Sequence, residues 1–167
     1  ALTGNTGNVV FTGTVGAGAN LELGAVSIVS AADVTASSTI EAASLVQAAG
    51  SGTTTLRDNV TTTAAAGVNI TATNINLDGL TIAASGDGVA RFAGVTVLDG
   101  ATVITTTGTG AITFTSTLGS VANEDNTLAL TGNTGNVVFT GTVGAGANLE
   151  LGAVSIVSAA DVTASST

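Results

Sequence analysis

Apolar and polar residues alternate with a period of two along most of this chain. Val9, Phe11 and Val15 take alternate positions, as do Leu21 and Leu23, then Val68, Ile70 and Ala72, Ile75 and Leu77, Leu80 and Ile82, and Ile112 and Phe114. Thr12, Thr14, Glu22, Asn69, Thr71, Asn76, Thr81 and Thr113 fall between them. A strand turns successive side chains to opposite faces, so the pattern predicts short strands with one side buried and the other wet. The β-branched vocabulary agrees, because Val, Ile and Thr fit a pleated surface. One segment, SSTIEAASLVQAAG (37–50), also fits a helix, with Ser38 and Glu41 as a capping box and Gly50 as a C-cap. Read as a strand, it keeps Ile40, Ala42, Ser44, Val46 and Ala48 on one face, and the strand reading is preferred.

Glycines punctuate the alternation. GNVVF begins at Gly7, GTTTL at Gly52, GVARF at Gly88, GAITF at Gly110, and GNVVF again at Gly135. Each of these corner glycines follows a second one closely, and glycine supplies the φ > 0 or close backbone approach that a β-branched residue cannot. The spacings are 45, 36, 22 and 25 residues, which divide into about six units of roughly 21 residues if each of the first two gaps holds two units. Units of that size predict an all-β fold, a parallel β-solenoid in which each coil hydrogen-bonds to its neighbours ~4.8 Å away. Phe11, Leu56, Phe92, Phe114 and Phe139 should then stack as one interior ladder. Missing proline fits, since proline deletes a ladder donor.

A longer period contains the short one. Residues 1–39 and 129–167 are identical, so 1–128 reads as one full tandem repeat and 129–167 as the start of the next in a continuous solenoid. Six coils at that spacing would raise one repeat by ~29 Å. The alternative for long exact repeats is a string of immunoglobulin-like sandwiches, which wants a thicker aromatic core than four Phe provide.

Composition narrows the function classes. Hydrophobic residues make up 44% and mean hydropathy is +0.59, yet no run reaches the ~18 unbroken apolar residues of a membrane helix. No transmembrane segment is expected. Eleven acidic residues against Arg57 and Arg91 give a net charge of −9, which opposes nucleic-acid binding. Charged residues are only 8% and the alternation is regular, which sets the chain apart from disordered sequences.

With NVVFTGTV, VNITATNINLDGLTIAA and GTGAITFTST laid out, the chain resembles the repetitive stalks of large bacterial surface proteins of the filamentous-haemagglutinin type. The resemblance is one of texture along the whole chain. It implies a right-handed parallel β-helix, secretion to the extracellular space or cell surface, and roles in adhesion, biofilm matrix or envelope. The exact 128-residue duplication is stricter than in such stalks, which shifts the expectation from an adhesin stalk towards a fibre of identical modules.

Candidate chemistry is sparse. Without His or Cys the usual nucleophile–base pairs and zinc sites have no members, and no enzyme activity is expected. Asp58 beside Arg57 is the one pairing that could be offered for catalysis, and a surface ion pair explains it more simply. For calcium, which takes six to eight oxygens, Glu124 and Asp125 in ANEDNT are the first candidates, ahead of the Asp-Gly turns at Asp78, Asp87 and Asp99. The polar segment 121–127 reads as an insertion loop, either a contact or a solvated bulge. Thr-x-Thr pairs at 53–55, 61–63, 71–73 and 105–107 raise an ice-binding alternative, although Thr is also an ordinary outward β-former. Asn59-Val60-Thr61 and Asn69-Ile70-Thr71 match the glycosylation acceptor pattern. The expectation is a structural extracellular filament, sheath or matrix fibre that associates with itself end to end or laterally. The stalk of an adhesin is the alternative, and an ice- or calcium-binding module the second alternative.

Overall fold

The structure is a computed structural model that describes residues 1–16, 18, 22–144 and 149–165 of the chain; Leu21 of the sequence pattern lies outside them. The described residues contain seventeen strands and no helix. In chain order the first are β1 (Leu2–Thr3), β2 (Val9–Phe11), β3 (Leu23–Ser30), β4 (Val34–Ala36), β5 (Ile40–Gln47) and β6 (Thr53–Leu56). Next come β7 (Val60–Thr62), β8 (Val68–Leu77), β9 (Thr81–Ala84), β10 (Ala90–Leu98), β11 (Thr102–Thr106) and β12 (Ile112–Phe114). The last are β13 (Leu118–Ser120), β14 (Leu128–Thr131), β15 (Val137–Phe139), β16 (Val154–Ser158) and β17 (Val162–Ala164).

Every ladder between these strands is parallel, and each joins segments one coil apart, which is a parallel β-solenoid. Three files of stacked strands make its three faces. The first face stacks Leu2, Ile28, Gln47, Ile70, Phe92, Phe114, Phe139 and Ala164, all but the two end residues buried. Those seven steps are seven turns, with turns roughly 22 residues apart. The second face stacks Val9, Val34, Thr54, Ile75, Thr96 and Leu118. The third stacks Val15, Ile40, Val60, Ile82, Ile104, Leu130 and Ile156.

The period-two pattern slips by one residue where the chain turns a corner without leaving its strand. In β8, Val68, Ile70 and Ala72 face inward, Thr73 and Asn74 are both exposed, and Ile75 and Leu77 face inward again. β5 slips the other way, with Ser44 and Leu45 both buried, so segment 37–50 is a strand but not a one-faced one: Ile40, Ala42 and Ser44 are interior as expected, then Leu45 and Gln47, while Val46 is half-buried and Ala48 exposed. The corner, which a flat pattern does not contain, is the physical reason for this correction.

The single aromatic ladder also divides. Phe92, Phe114 and Phe139 stack on the first face with ring centroids 5.2 and 5.6 Å apart. Phe11 and Leu56 belong to the second face, in the file Phe11, Ala36, Leu56, Leu77, Leu98, Ser120. The corner glycines divide in the same way. Gly88, Gly110 and Gly135 stack between the third and first faces, where a Cβ on Gly110 would strike the Gly88 carbonyl oxygen and one on Gly135 that of Gly110. Gly7 and Gly52 sit between the first and second faces with Ala32 between them: the Ala32 N–H donates to Gly7 and the Gly52 N–H to Ala32.

The cause of both divisions is the turn count. Five turns from Leu2 reach Phe114, and its identical counterpart Leu130 lies two faces further on, in the third face. The sixth turn ends at Phe139, nine residues too far. Val15 is on the third face while its counterpart Val143 bridges Leu118 on the second. The repeat therefore spans five and two-thirds turns rather than six coils of about 21 residues, and its rise is ~27 Å rather than ~29 Å.

Two measurements check this geometry. With no native cysteine to interfere, Thr105→Cys with Thr131→Cys should form a disulfide on mild oxidation, because these residues are paired on adjacent coils. Thr115→Cys with Thr131→Cys should not; the reverse result would restore six turns. Gly110→Ala should destabilise by about 1–3 kcal/mol in thermal melts, since the Cβ meets backbone that cannot yield cheaply. Gly24→Ala, whose added Cβ meets nothing within 4 Å, is the control expected to melt no lower than the parent.

Candidate functional site

Polar side chains gather at the corners, where the backbone leaves the ladder and its N–H groups need other acceptors. Asn8 Oδ1 accepts from the Asp33 N–H at 3.1 Å, Asp33 Oδ1 from the Thr53 N–H at 2.8 Å, and Asp87 Oδ1 from the Thr109 N–H at 2.8 Å. Each bond reaches from one coil to the next. Asn59, an exposed candidate acceptor for glycan, does the same: its Oδ1 takes the Thr81 N–H at 2.7 Å. Asn69, the other, stands half-buried on the first face with its Oδ1 accepting from Arg91 Nη1 at 3.2 Å.

The corner between the second and third faces carries most of the central charge. Arg57, Asp58 and Asn59 form it in one coil, Asp78 and Gly79 in the next, and Asp99 and Gly100 in the one after, with positive φ at both glycines. Arg57 reaches along the axis, not along the chain: its Nε lies 3.4 Å from Asp78 Oδ2. Asp58 instead caps locally, its Oδ1 accepting the Asn59 N–H at 2.7 Å. The Arg57–Asp58 pairing raised for catalysis is thus replaced by a pair between coils. Burial pushes the Asp78 carboxyl above its ordinary value, repulsion from Asp99 pushes it further, and Arg57 opposes both. Its second oxygen, Oδ1, is buried and has no hydrogen-bond partner.

The loop 121–127 continues this corner. Asn123 takes the left-handed conformation at φ 67, and the Asn126 amide nitrogen reaches Glu124 Oε2 at 2.9 Å, Ser120 Oγ at 3.0 Å and the Leu98 carbonyl at 3.1 Å. Asn126, which the sequence reading passed over, is what folds the loop. Glu124 and Asp125 are both exposed, and no group of three or more acidic, His or Cys side chains gathers for a metal among the described residues. The structure brings no third carboxylate to the calcium candidates.

Outward files are mixed. The second face shows Thr35, Thr55, Asn76 and Val97 in successive coils, and the third shows Thr61, Ala83, Thr105 and Thr131. Neither is the flat threonine array that ordering ice-like water requires. Among the described residues no pocket opens on the surface. Large exposed apolar side chains concentrate on the terminal coils, with Leu2, Val10, Leu23 and Val29 at one end and Val154, Ile156, Val157 and Val162 at the other.

Compared with protein-family models, curated proteins and solved structures, the chain matches none. The functional reading rests on the geometry above.

One test follows from Asp78. Its raised pKa means that the folded chain holds this proton at pH values where the unfolded chain has lost it. Stability from this group is therefore fully present below the ordinary value of 3.8 and is lost as pH rises through the raised value. Asp78→Asn should melt higher than the parent at neutral pH, with the difference fading below pH 3.8; the pair it removes, at 3.4 Å with Arg57 largely in solvent, is worth little. A variant melting lower at neutral pH would show the ion pair outweighing burial.

Proposed function

We propose that this protein is a structural element, a rod whose product is length and stiffness, used as an extracellular filament, sheath or matrix fibre. The observation that carries the reading is continuity. β14 to β17, the second copy of the repeat, stack on β11 and β12 by the same parallel ladders that join every other coil, without a break or a separate core. A chain of such modules extends by adding coils, and its stability grows by neighbour-to-neighbour contacts. Self-association, end to end or laterally, belongs to the same reading, since the open end of any solenoid offers unpaired N–H and C=O groups. An acidic surface with only Arg57 and Arg91 as tryptic sites suits a life outside the cell. The stalk of a surface adhesin would use the same stiffness, and a separate binding tip would distinguish it.

Electron cryo-microscopy of the concentrated protein checks the reading. Rods with a strong layer line at ~4.8 Å across the axis and a module spacing of ~27 Å are expected. Short particles that never lengthen at any concentration would sink the filament reading.

A further inference from the structure

The two copies of the 39-residue segment fold alike. Leu2 pairs with Ile28 as Leu130 does with Ile156, and Val9 with Val34 as Val137 does with Val162. Asn5 and Asn133 share the left-handed conformation at φ 52 and 53. Their surroundings differ in a complementary way. The first copy is covered on its C-terminal side by β5 and β6, where Val26 meets Leu45 and Val34 meets Thr54. The second copy is covered on its N-terminal side by β11 and β12, where Leu130 meets Ile104 and Phe139 meets Phe114.

Exposure follows the cover. Val26, Ile28 and Val34 are 8%, 1% and 3% exposed, whereas their counterparts Val154, Ile156 and Val162 are 41%, 36% and 52% exposed. One chain thus displays both neighbours of one segment, each on a different copy. The bare edge formed by β16 and β17 has the residues, and the backbone pairing within its copy, of an edge already seen with its partner in place.

We infer that the edge of β16 and β17 is an acceptor for a further module beginning with the sequence of residues 40–56, and that each module added turns the solenoid by a third of a turn. Leu45 and Gln47 of the incoming strand would cover Val154 and Ile156 as they cover Val26 and Ile28. Thr54 and Leu56 would cover Val162 and Ala164 as they cover Val34 and Ala36. The rotation follows from placement: β3 stacks on the first face and β16 on the third, so the second incoming module starts one face away from where the first did. Three modules make seventeen turns, ~82 Å, before the pattern returns. The acidic corner and the 121–127 loop then point in three directions by turns, so lateral partners, further copies of the rod, meet equivalent surfaces on three sides. This deepens the rod reading and rests on it, but its first test needs no filament.

The test lengthens the full chain by one more stretch of residues 40–128 after Thr167, beside a chain of equal length carrying that stretch scrambled. Amide hydrogen exchange at Val154–Ala164 should slow to the rate of Val26–Ala36 in the lengthened chain and stay fast in the scrambled one. No slowing, or equal slowing in both, overturns the acceptor. In chains of several modules, cryo-microscopy should show low-angle layer lines of an ~82 Å repeat, the first and second orders off the meridian and the third, ~27 Å, on it. A meridional first order with no ~82 Å lines overturns the rotation. Slowed exchange in a native protein that never forms rods supports the acceptor and removes the filament function instead.

Discussion

Everything in this molecule answers to the distance between adjacent parallel strands, ~4.8 Å. Each residue has a near neighbour of its own kind of position directly above and below, and whatever the sequence places there must tolerate that company. Val, Ile and Leu do so by interdigitating in the three interior files, and the Phe92, Phe114 and Phe139 rings do so by stacking. Gly88, Gly110 and Gly135 do so by having no Cβ where one corner passes under the next. Asp33, Asp87 and Asn59 turn the closeness to use, accepting a backbone N–H from the coil above. Charges are the poorest company. Asp78 and Asp99 one coil apart repel, and Arg57 on the other side relieves the strain only in part.

The same spacing leaves little room for polar groups that miss their partner. Gln47 is interior to the first face, between Ile28 and Ile70. Its carbonyl oxygen accepts from Thr54 Oγ1 at 2.7 Å, but its amide nitrogen and the nearby coil's Thr62 Oγ1 have no hydrogen-bond partner. A buried polar group left unpaired costs about 1–3 kcal/mol. The coils just after the first copy are on this ground the least favourable stretch of the interior, whereas the phenylalanine coils further on are wholly apolar on the same file. In a solenoid, where each coil leans only on its neighbours, such a difference stays local and marks the weakest part of the interior.

Strand, corner and coil were legible in the sequence because they are local: alternation fixes which side of a strand is wet, and Gly-x-x-x-Phe or Gly-x-x-x-Leu fixes where it starts. File membership was not legible, because it depends on the sum of all corner lengths between two residues. Phe11 and Phe139 have identical sequence around them for many residues on either side, yet one belongs to the second face and the other to the first. A motif cannot report its face when the three faces want the same residues. Arg57 shows the same limit at the level of a site. Its neighbour in sequence is Asp58, its partner in space is Asp78, and only the coil length between them says so. The phase slips in β5 and β8 hide in the same place, at corners tight enough that no glycine marks them.

That one segment serves on different faces is itself a constraint on the other residues. The interior must be close to threefold in shape, or the second copy would meet a cavity or a clash where the first met a fit. Small and branched side chains satisfy this. Leu2 stacks on Ile28 in a file that later carries Phe, while Leu130 stacks between Ile104 and Ile156 in a file of aliphatics, and both are accommodated. Corners must be interchangeable too: GNTGN turns from the first face to the second at 4–8 and from the third to the first at 132–136. A larger or more individual core would pin each segment to one face and force a whole number of turns per repeat. The plain composition of this chain, poor in aromatics and rich in Ala, Val, Thr and Gly, is what frees the repeat from that requirement and lets successive modules face different ways.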